Sequence, residues 1–357
     1  MVLEKQVKIN GEGFLNCIKR KGTPDRVYYI ELYLDKEIRD AINERYKLLD
    51  CFEASDPFRE HKGSIKTNRF LGYDYVLAGV ECLNLPLREH EVEDTADLKK
   101  QGGRSYVDER IGPITTWEEF EKYPWPNLKN ADTSDLEWYE KNLPDDMVVI
   151  GGLTGHIMEG LMFLMGYETL CIALFEQRDL VKAIYDRISA QCRHEVWLMS
   201  QFSRVRMIWG SDDMGFKSGT LISPEDMREF VFPAHKELAQ TAHDNGKLYL
   251  LHACGNLVMI MDDLINDVKI DAKHSFEDTI EDIREVKQTY GKKIALFGGM
   301  DVDFLCRASE QEIRLRVRDT IAACQPGGGF CLGTGNSVAN YIPLDNYLAM
   351  LDEGRRA

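Results

Sequence analysis

Short runs rich in β-branched and aromatic residues alternate along the chain with longer stretches whose apolar residues recur every three or four positions. The short runs are Arg26–Leu32, Tyr73–Ala78, Met147–Gly151, Arg206–Trp209, Lys247–Leu251, Val268–Ala272, Lys293–Phe297 and Gly329–Leu332, each the length of one strand. The clearest helix follows Ser223-Pro224, an N-cap and first-turn pair. It sets Met227, Phe230, Val231, Ala234, Leu238 and Ala242 on one side and ends near Asn245-Gly246. Strand, helix, strand in repeated order predicts parallel pairing through right-handed crossovers. Eight such units favour a single (β/α)8 TIM barrel over an open doubly wound sheet, and no Gly-x-Gly-x-x-Gly follows the first strand to suggest a dinucleotide. The stretch from Leu85 to Asn130 is too long for one crossover. Its Gln101-Gly-Gly-Arg104 turn and its capping box Thr116-Trp-Glu-Glu119 predict a hairpin and a helix inserted after strand two, covering one side of the barrel mouth. Residues 1–25 precede the first strand as an N-terminal helical arm, and 26–357 form the barrel.

Composition narrows the function. A chain of 357 residues with 44% hydrophobic content can bury a large core. Its formal net charge of −16 argues against general affinity for nucleic acid and for anionic membrane surfaces, both of which need clustered Lys and Arg. Partners are expected to be small molecules or proteins. The start, Met1-Val-Leu-Glu-Lys5, has no apolar core with a cleavage site, and no run of about 18 uncharged apolar residues follows, which predicts a cytoplasmic protein. The nine cysteines are scattered at Cys17, Cys51, Cys82, Cys171, Cys192, Cys254, Cys306, Cys324 and Cys331. An odd number without repeated spacings predicts reduced thiols.

Polar residues gather at the predicted C-terminal ends of strands, where barrel active sites are built. Asp212-Asp213 follow strand four, His252 and Cys254 follow strand five, His274 and Glu277 follow strand six, Asp301 follows strand seven, and Cys331 and Asn336 sit at strand eight. His252 and Cys254, two residues apart, share one face of an extended chain. With Cys331 reaching across from strand eight they offer one imidazole and two thiolates to Zn²⁺. Three protein ligands leave the fourth tetrahedral position open, as in catalytic sites. Two thiolates and a neutral imidazole also cancel the +2 charge of zinc, which suits activation of sulfur. The competing reading is of free cysteines as small buried hydrophobes. Gly327-Gly-Gly329 and Gly333-Thr-Gly335 flank Cys331 and either present N–H groups to an anion or form tight turns. Tyr28, Tyr29, Trp209, Phe216 and Phe276 are expected mostly in the core, with one or two at the mouth able to stack on an aromatic substrate or a methylated cation.

Gly328-Gly-Phe-Cys-Leu-Gly-Thr-Gly-Asn336, continuing through Asn340-Tyr-Ile-Pro-Leu-Asp-Asn-Tyr347, resembles the C-terminal signature of the uroporphyrinogen decarboxylase superfamily. So do Ser223-Pro-Glu-Asp-Met-Arg-Glu-Phe230 with Pro233, Gly166-Tyr-Glu168 after Leu161, and Phe297-Gly-Gly-Met-Asp301. The resemblance runs from about Arg26 to the end and implies one (β/α)8 barrel. The decarboxylases carry an Arg-rich motif after the first strand that grips propionates, where this chain has Glu31-Leu-Tyr-Leu-Asp-Lys-Glu37. A polyanionic tetrapyrrole would meet repulsion from Glu31 or Asp35 there. The His-x-Cys and distant Cys instead resemble the zinc triplet of the superfamily's corrinoid methyltransferases, which implies zinc on His252, Cys254 and Cys331. It also implies transfer of a methyl group between a small molecule (a methyl ether, methylamine or thiol) and the cobalt of a separate corrinoid protein. Asp213, His274 and Glu277 would then orient the substrate, supply a proton or complete the metal shell. No corrinoid-binding segment is recognisable in these residues, so cobalt is expected on a partner. The alternatives are a decarboxylase-type lyase acting on a tetrapyrrole and a zinc-stabilised barrel that binds a ligand without turnover.

Overall fold

In the computed structural model, which describes residues 3, 5–100 and 102–357, eight parallel strands curl into one sheet. They are β1 (Tyr28–Tyr29), β2 (Tyr75–Ala78), β3 (Val148–Thr154), β4 (Val205–Ser211), β5 (Leu248–His252), β6 (Ala272–His274), β7 (Ala295–Met300) and β8 (Phe330–Thr334). The pairing order is β1-β8-β7-β6-β5-β4-β3-β2, so each strand lies beside its neighbours in sequence, as in a (β/α)8 barrel. Among the described residues no ladder joins β1 to β2. A phenol takes its place: Tyr75 Oη accepts from the Glu31 N–H at 2.9 Å and donates to the Glu31 carbonyl at 3.2 Å, satisfying buried backbone at the seam.

All eight predicted runs contribute a barrel strand, with two corrections. The sixth strand lies at Ala272–His274 rather than Val268–Ala272, because Leu264–Val268 forms a π-helical turn that ends at Lys269 with φ 65°. Its buried residues include Lys273 and His274, which a hydropathy pattern reads as surface. The helix after Ser223-Pro224 is two helices, Pro224–Phe230 and Phe232–Asp244, broken at Val231. Pro233 has no N–H for the Glu229 carbonyl, and its ring crowds that oxygen. All six residues of the predicted face are nevertheless buried.

The insertion contains the antiparallel hairpin Glu89–Val92 with Arg104–Val107, and the helix Trp117–Lys122 with its reciprocal Thr116/Glu119 capping box. Gly102 and Gly103 turn at φ 90° and 86°; Gln101 of the predicted turn lies outside the described residues. Asn340 staples the insertion to the segment after β8, accepting from Arg104 at 2.8 Å and donating to Asp94 at 2.6 Å and to the Leu98 carbonyl at 2.8 Å. At the opposite end, helix Gly11–Ile18 from the N-terminal arm lies across the barrel floor. Gly11 N–H donates to the Asp146 carbonyl and Gly329 N–H to the Cys17 carbonyl, both at 2.7 Å; Met1, Val2 and Glu4 of that arm lie outside the described residues. No single helix among the described residues is long and apolar enough to cross a membrane.

Candidate metal centre

Alternation along β5 sends Leu250 and His252 to one face, and parallel register sets His252 between Ser211 of β4 and His274 of β6. Each of the flanking chains then adds a group just past its strand. Asp213 Oδ1 accepts from the Cys254 N–H at 2.9 Å and lies 3.4 Å from His252 Nε2; Cys254 Sγ is also 3.4 Å from that nitrogen. The three ligand atoms lie within 4.8 Å of one another. Around tetrahedral zinc, bond lengths of about 2.05 Å to nitrogen and 2.3 Å to sulfur put those two atoms roughly 3.5 Å apart. The two distances from His252 Nε2 therefore match those around a four-coordinate metal. The charges also match, since a thiolate, a carboxylate and a neutral imidazole cancel +2.

The surroundings tune these groups in opposite senses. Burial and then the Asp213 charge push the Cys254 thiol far above its ordinary range, so it ionises only beside a cation. Burial also acts to raise Asp213, but hydrogen bonds from His252 and the Cys254 backbone outweigh it and hold the carboxyl at about 2. Two further groups grip the sulfur: Ser275 Oγ at 3.3 Å and Asn336 Nδ2 at 3.5 Å. Ser275 is held at φ 86°, a backbone that non-glycine residues rarely adopt and that commonly marks functional sites.

Cys331 is not brought to this cluster. The row of register partners that starts at Ser211, at the end of β4, passes through His252, His274 and Phe297 and reaches Cys331 and Tyr28. Barrel strands tilt, so that row descends from mouth to floor. There Cys331 is fully buried and shares a hydrogen bond with Cys17 of the floor helix. The side chain that reaches Cys254 from beyond β8 is five positions later, Asn336. The triad thus draws Asp213, expected only as an accessory, into the place assigned to Cys331.

The other expected residues separate as follows. His274 lies inside the barrel, its Nδ1 2.7 Å from His252 Nδ1 and its Nε2 3.0 Å from the Thr334 carbonyl. Glu277 is exposed and lines a groove of about 650 Å³ with Phe276, Asp301, Asn336 and Tyr341; Asn336 joins that groove to Cys254. Asp212 is structural, accepting from the Met158 and Glu159 N–H groups at 2.9 and 3.0 Å and pairing with His235. Asp301 caps helix Val302–Arg307. Gly327, Gly328 and Gly329 all have positive φ and spend their N–H groups on Thr23, Gln325 and Cys17, which is the turn reading and not the anion cradle. Tyr28, Tyr29, Trp209 and Phe276 are buried, whereas Phe216 is exposed at the mouth.

Glu31 departs from expectation. Its side chain is buried against Thr334, and burial pushes its carboxyl up to about 8; it carries no charge to the mouth at neutral pH. Sequence reading also missed Lys273, which burial holds at about 8 while its Nζ donates to the Ser275 carbonyl at 2.6 Å, and the His156–Glu159 pair at 2.9 Å. His-x-x-Glu just past strand three was the available signal, but the strand runs on to Thr154, beyond the predicted Gly151.

Comparison with known proteins places these features in a family. A methylated-thiol–coenzyme M methyltransferase of Methanosarcina mazei is 32% identical over 133 residues, covering 37% of this chain. The match spans 33% of that protein, so the chain covers about a third of its length. Among solved structures, a Listeria monocytogenes protein assigned as a vitamin B12-independent methionine synthase is 14% identical with a TM-score of 0.44, covering 93% of this chain and 95% of that one. A tandem GH20 catalytic module of the pneumococcal exo-β-D-N-acetylglucosaminidase is 10% identical with a TM-score of 0.36, covering 95% and 84%. The family model for uroporphyrinogen decarboxylase (URO-D) matches residues 111–357, which hold β3 to β8, the triad and the groove, and the chain belongs to that family.

Proposed function

We propose that this protein is a zinc-dependent methyltransferase that moves a methyl group between a small molecule and the cobalt of a separate corrinoid protein. The observation that carries the reading is the convergence of His252 Nε2, Cys254 Sγ and Asp213 Oδ1 at the barrel mouth, at tetrahedral spacing and with charges that neutralise a divalent ion. Membership of the family and the likeness to a methyltransferase acting on methylated thiols support the same class. Bound there, zinc would act as a Lewis acid on the heteroatom of a methyl donor, or lower the pKa of a thiol acceptor.

The chain's own residues do the rest. The groove beside Asn336 gives a small substrate a bed that reaches Cys254, with Phe276 and Tyr341 for apolar contact and Glu277 free to orient a polar or cationic head. Asp213 completes the protein ligands, and Lys273 behind Ser275 fixes the turn that aims Ser275 at the sulfur. The lyase reading is disfavoured by this groove: Glu277, Asp278, Asp301, Asp303 and Glu312 line it against one arginine, Arg307, the wrong balance for a polycarboxylate.

The test uses the zinc-loaded protein with reduced cobalamin as surrogate acceptor, and methylcobalamin as surrogate donor, followed by their visible spectra. Methyl ethers, methylamines and methylated thiols are offered in the first direction and thiols in the second. We expect one class to change the cobalt spectrum only when protein and zinc are both present. Spectra that stay unchanged for every class in both directions would overturn the methyltransferase reading.

A further inference from the structure

We propose that Glu31 is a positioning residue for the barrel mouth: as a neutral acid it donates to Thr334 Oγ1, which turns that hydroxyl's own proton onto the Asn336 carbonyl and so holds Asn336 against Cys254 and the groove. The inference rests on the metal reading above and extends it to the barrel seam. Thr334 Oγ1 lies within hydrogen-bond reach of both Glu31 Oε2 and the Asn336 carbonyl oxygen. A hydroxyl has one proton, and a carbonyl oxygen can only accept. With Glu31 ionised, its Oε2 and the Asn336 carbonyl compete for that proton, and the loser faces lone pairs at contact distance. A proton on Oε2 satisfies every group. Oε2 then donates to Thr334 Oγ1, Oγ1 donates to the Asn336 carbonyl, and Oε1 accepts from the Thr334 N–H at 3.1 Å.

The surroundings favour the same state. Glu31 and Thr334 are fully buried, where an uncompensated carboxylate is costly. The titratable groups facing Glu31 are the phenols of Tyr73 and Tyr75, and of Tyr347 in the C-terminal helix Leu344–Gly354. Burial pushes all three well above their ordinary range, so none is charged. From helix Lys36–Arg45, Arg39 lines the cavity of about 110 Å³ beside Glu31 but is itself exposed, and helix Arg59–Leu71 brings no charged side chain to that cavity. Asn336 is where the proton at the seam reaches the site. The other ties of its turn are Gly335 N–H to the Met300 carbonyl at 2.8 Å, Ser337 N–H to Asn336 Oδ1 at 2.7 Å, and Asn336 Nδ2 to Cys254 Sγ at 3.5 Å. Only the bond from Thr334 depends on Glu31. When Glu31 ionises, the Thr334 hydroxyl swings to the carboxylate, the Asn336 carbonyl loses that donor, and the turn is free to lift its amide from the sulfur.

Two variants and two spectra test this. In metal-free protein labelled with ¹⁵N-asparagine, the side-chain amide of Asn336, assigned by its loss in Asn336→Ala, should shift as pH rises, with a midpoint near the value of about 8 to which burial pushes Glu31. In Glu31→Gln, whose amide donates to Thr334 Oγ1 at every pH, that shift should lose most of its amplitude and the signal should keep its low-pH position. Thr334→Val, with no hydroxyl to turn, should show the parent's high-pH position throughout. Lys273, also held at about 8 behind Ser275, titrates alike in the parent and Glu31→Gln, so the difference between those two isolates Glu31. In the cobalt-loaded protein, the sulfur-to-cobalt band should move further to lower energy with rising pH in the parent than in Glu31→Gln. Equal pH profiles in parent and Glu31→Gln, by amide or by band, or a parental amide signal in Thr334→Val, would overturn the proposal and leave the metal reading standing. If the parent bound no metal, the metal reading would fail while the amide profiles still decided the role of Glu31. If circular dichroism showed Thr334→Val unfolded, the comparison of the parent with Glu31→Gln would decide.

Discussion

The barrel holds two thiols on related strands, Cys254 half-buried at the mouth and Cys331 fully buried at the floor, and only the first has the company of a metal ligand. Cys254 lies beside an imidazole nitrogen, a carboxylate held ionised and two hydrogen-bonding side chains. Cys331 has Cys17 and the barrel core, and burial, reinforced by its hydrogen bond with Cys17, pushes its thiol far above the ordinary range. Residue type is the same at both ends. What differs is whether donors converge on a point with room and charge for a cation, and that property belongs to the mouth.

The sharpest way to break this comparison is to remove each thiol in turn. Cys254→Ala should lower bound zinc from about one per chain to near zero by elemental analysis, because two remaining donors hold a divalent ion poorly. Cys331→Ala should keep its zinc and instead lose about 1–3 kcal/mol of stability, the cost of a small cavity in a packed core. Loss of zinc in Cys331→Ala, with the fold intact, would mean that the floor thiol belongs to the site.

Much of the fold was legible because each barrel strand is a short apolar run bounded by turn residues, and the repeated order admits few topologies. His252 and Cys254 were legible for a related reason: two residues past an apolar run is where a barrel strand opens onto its mouth. Cys331 reads as a strand end because its apolar run stops at Leu332. The strand continues through Gly333 and Thr334, residues without an apolar signature, so Cys331 stands near its start. Asp213 was visible as a polar residue after β4. Its place beside His252 and Cys254 depends on the register of β4 against β5, which no local pattern encodes. The contact between His252 and His274 was hidden for the same reason, since it depends on β6 starting four residues later than its hydropathy suggests.

A second pair of residues sharpens the contrast by pH. Asp213 at the mouth is held at about 2 and Glu31 at the seam is pushed up to about 8, so the two carboxyls carry opposite charge states at neutrality. Folded Glu31 keeps its proton up to about pH 8, while in the unfolded chain it gives that proton up near pH 4.3. The folded state therefore binds more protons between those values, and this residue makes stability fall as pH rises through that window. Glu31→Gln removes the dependence while keeping the side chain's size, its amide oxygen in the place of Oε1 accepting from the Thr334 N–H and its nitrogen in the place of Oε2 donating to Thr334 Oγ1. Urea unfolding should find the variant within about 1 kcal/mol of the parent at pH 5 and more stable by a few kcal/mol at pH 9. Parallel pH profiles would show that Glu31 is ionised in the folded protein.

The smallest expected effect concerns the hydrogen bonds that Ser275 and Asn336 make to the mouth sulfur, where the floor sulfur has the Cys17 thiol instead. Asn336 Nδ2 donates to Cys254 Sγ at 3.5 Å, and the same side chain is held by its own Oδ1, which accepts from the Ser337 N–H at 2.7 Å. An N–H donor withdraws electron density from a thiolate and so weakens its donation to a metal, while also stabilising its charge; the two effects oppose each other in affinity but add in the spectrum. Asn336→Ala should therefore change zinc affinity by no more than about fivefold, the worth of one ordinary hydrogen bond. In the cobalt-substituted protein its sulfur-to-cobalt charge-transfer band should move to lower energy, because a thiolate freed of its donor is easier to oxidise. The same substitution leaves the floor untouched, so Cys331 and the melting transition should not respond. A band that stayed in place would mean that the amide sits too far from the sulfur to act on it, and would leave Ser275, at 3.3 Å, as the side chain that tunes Cys254.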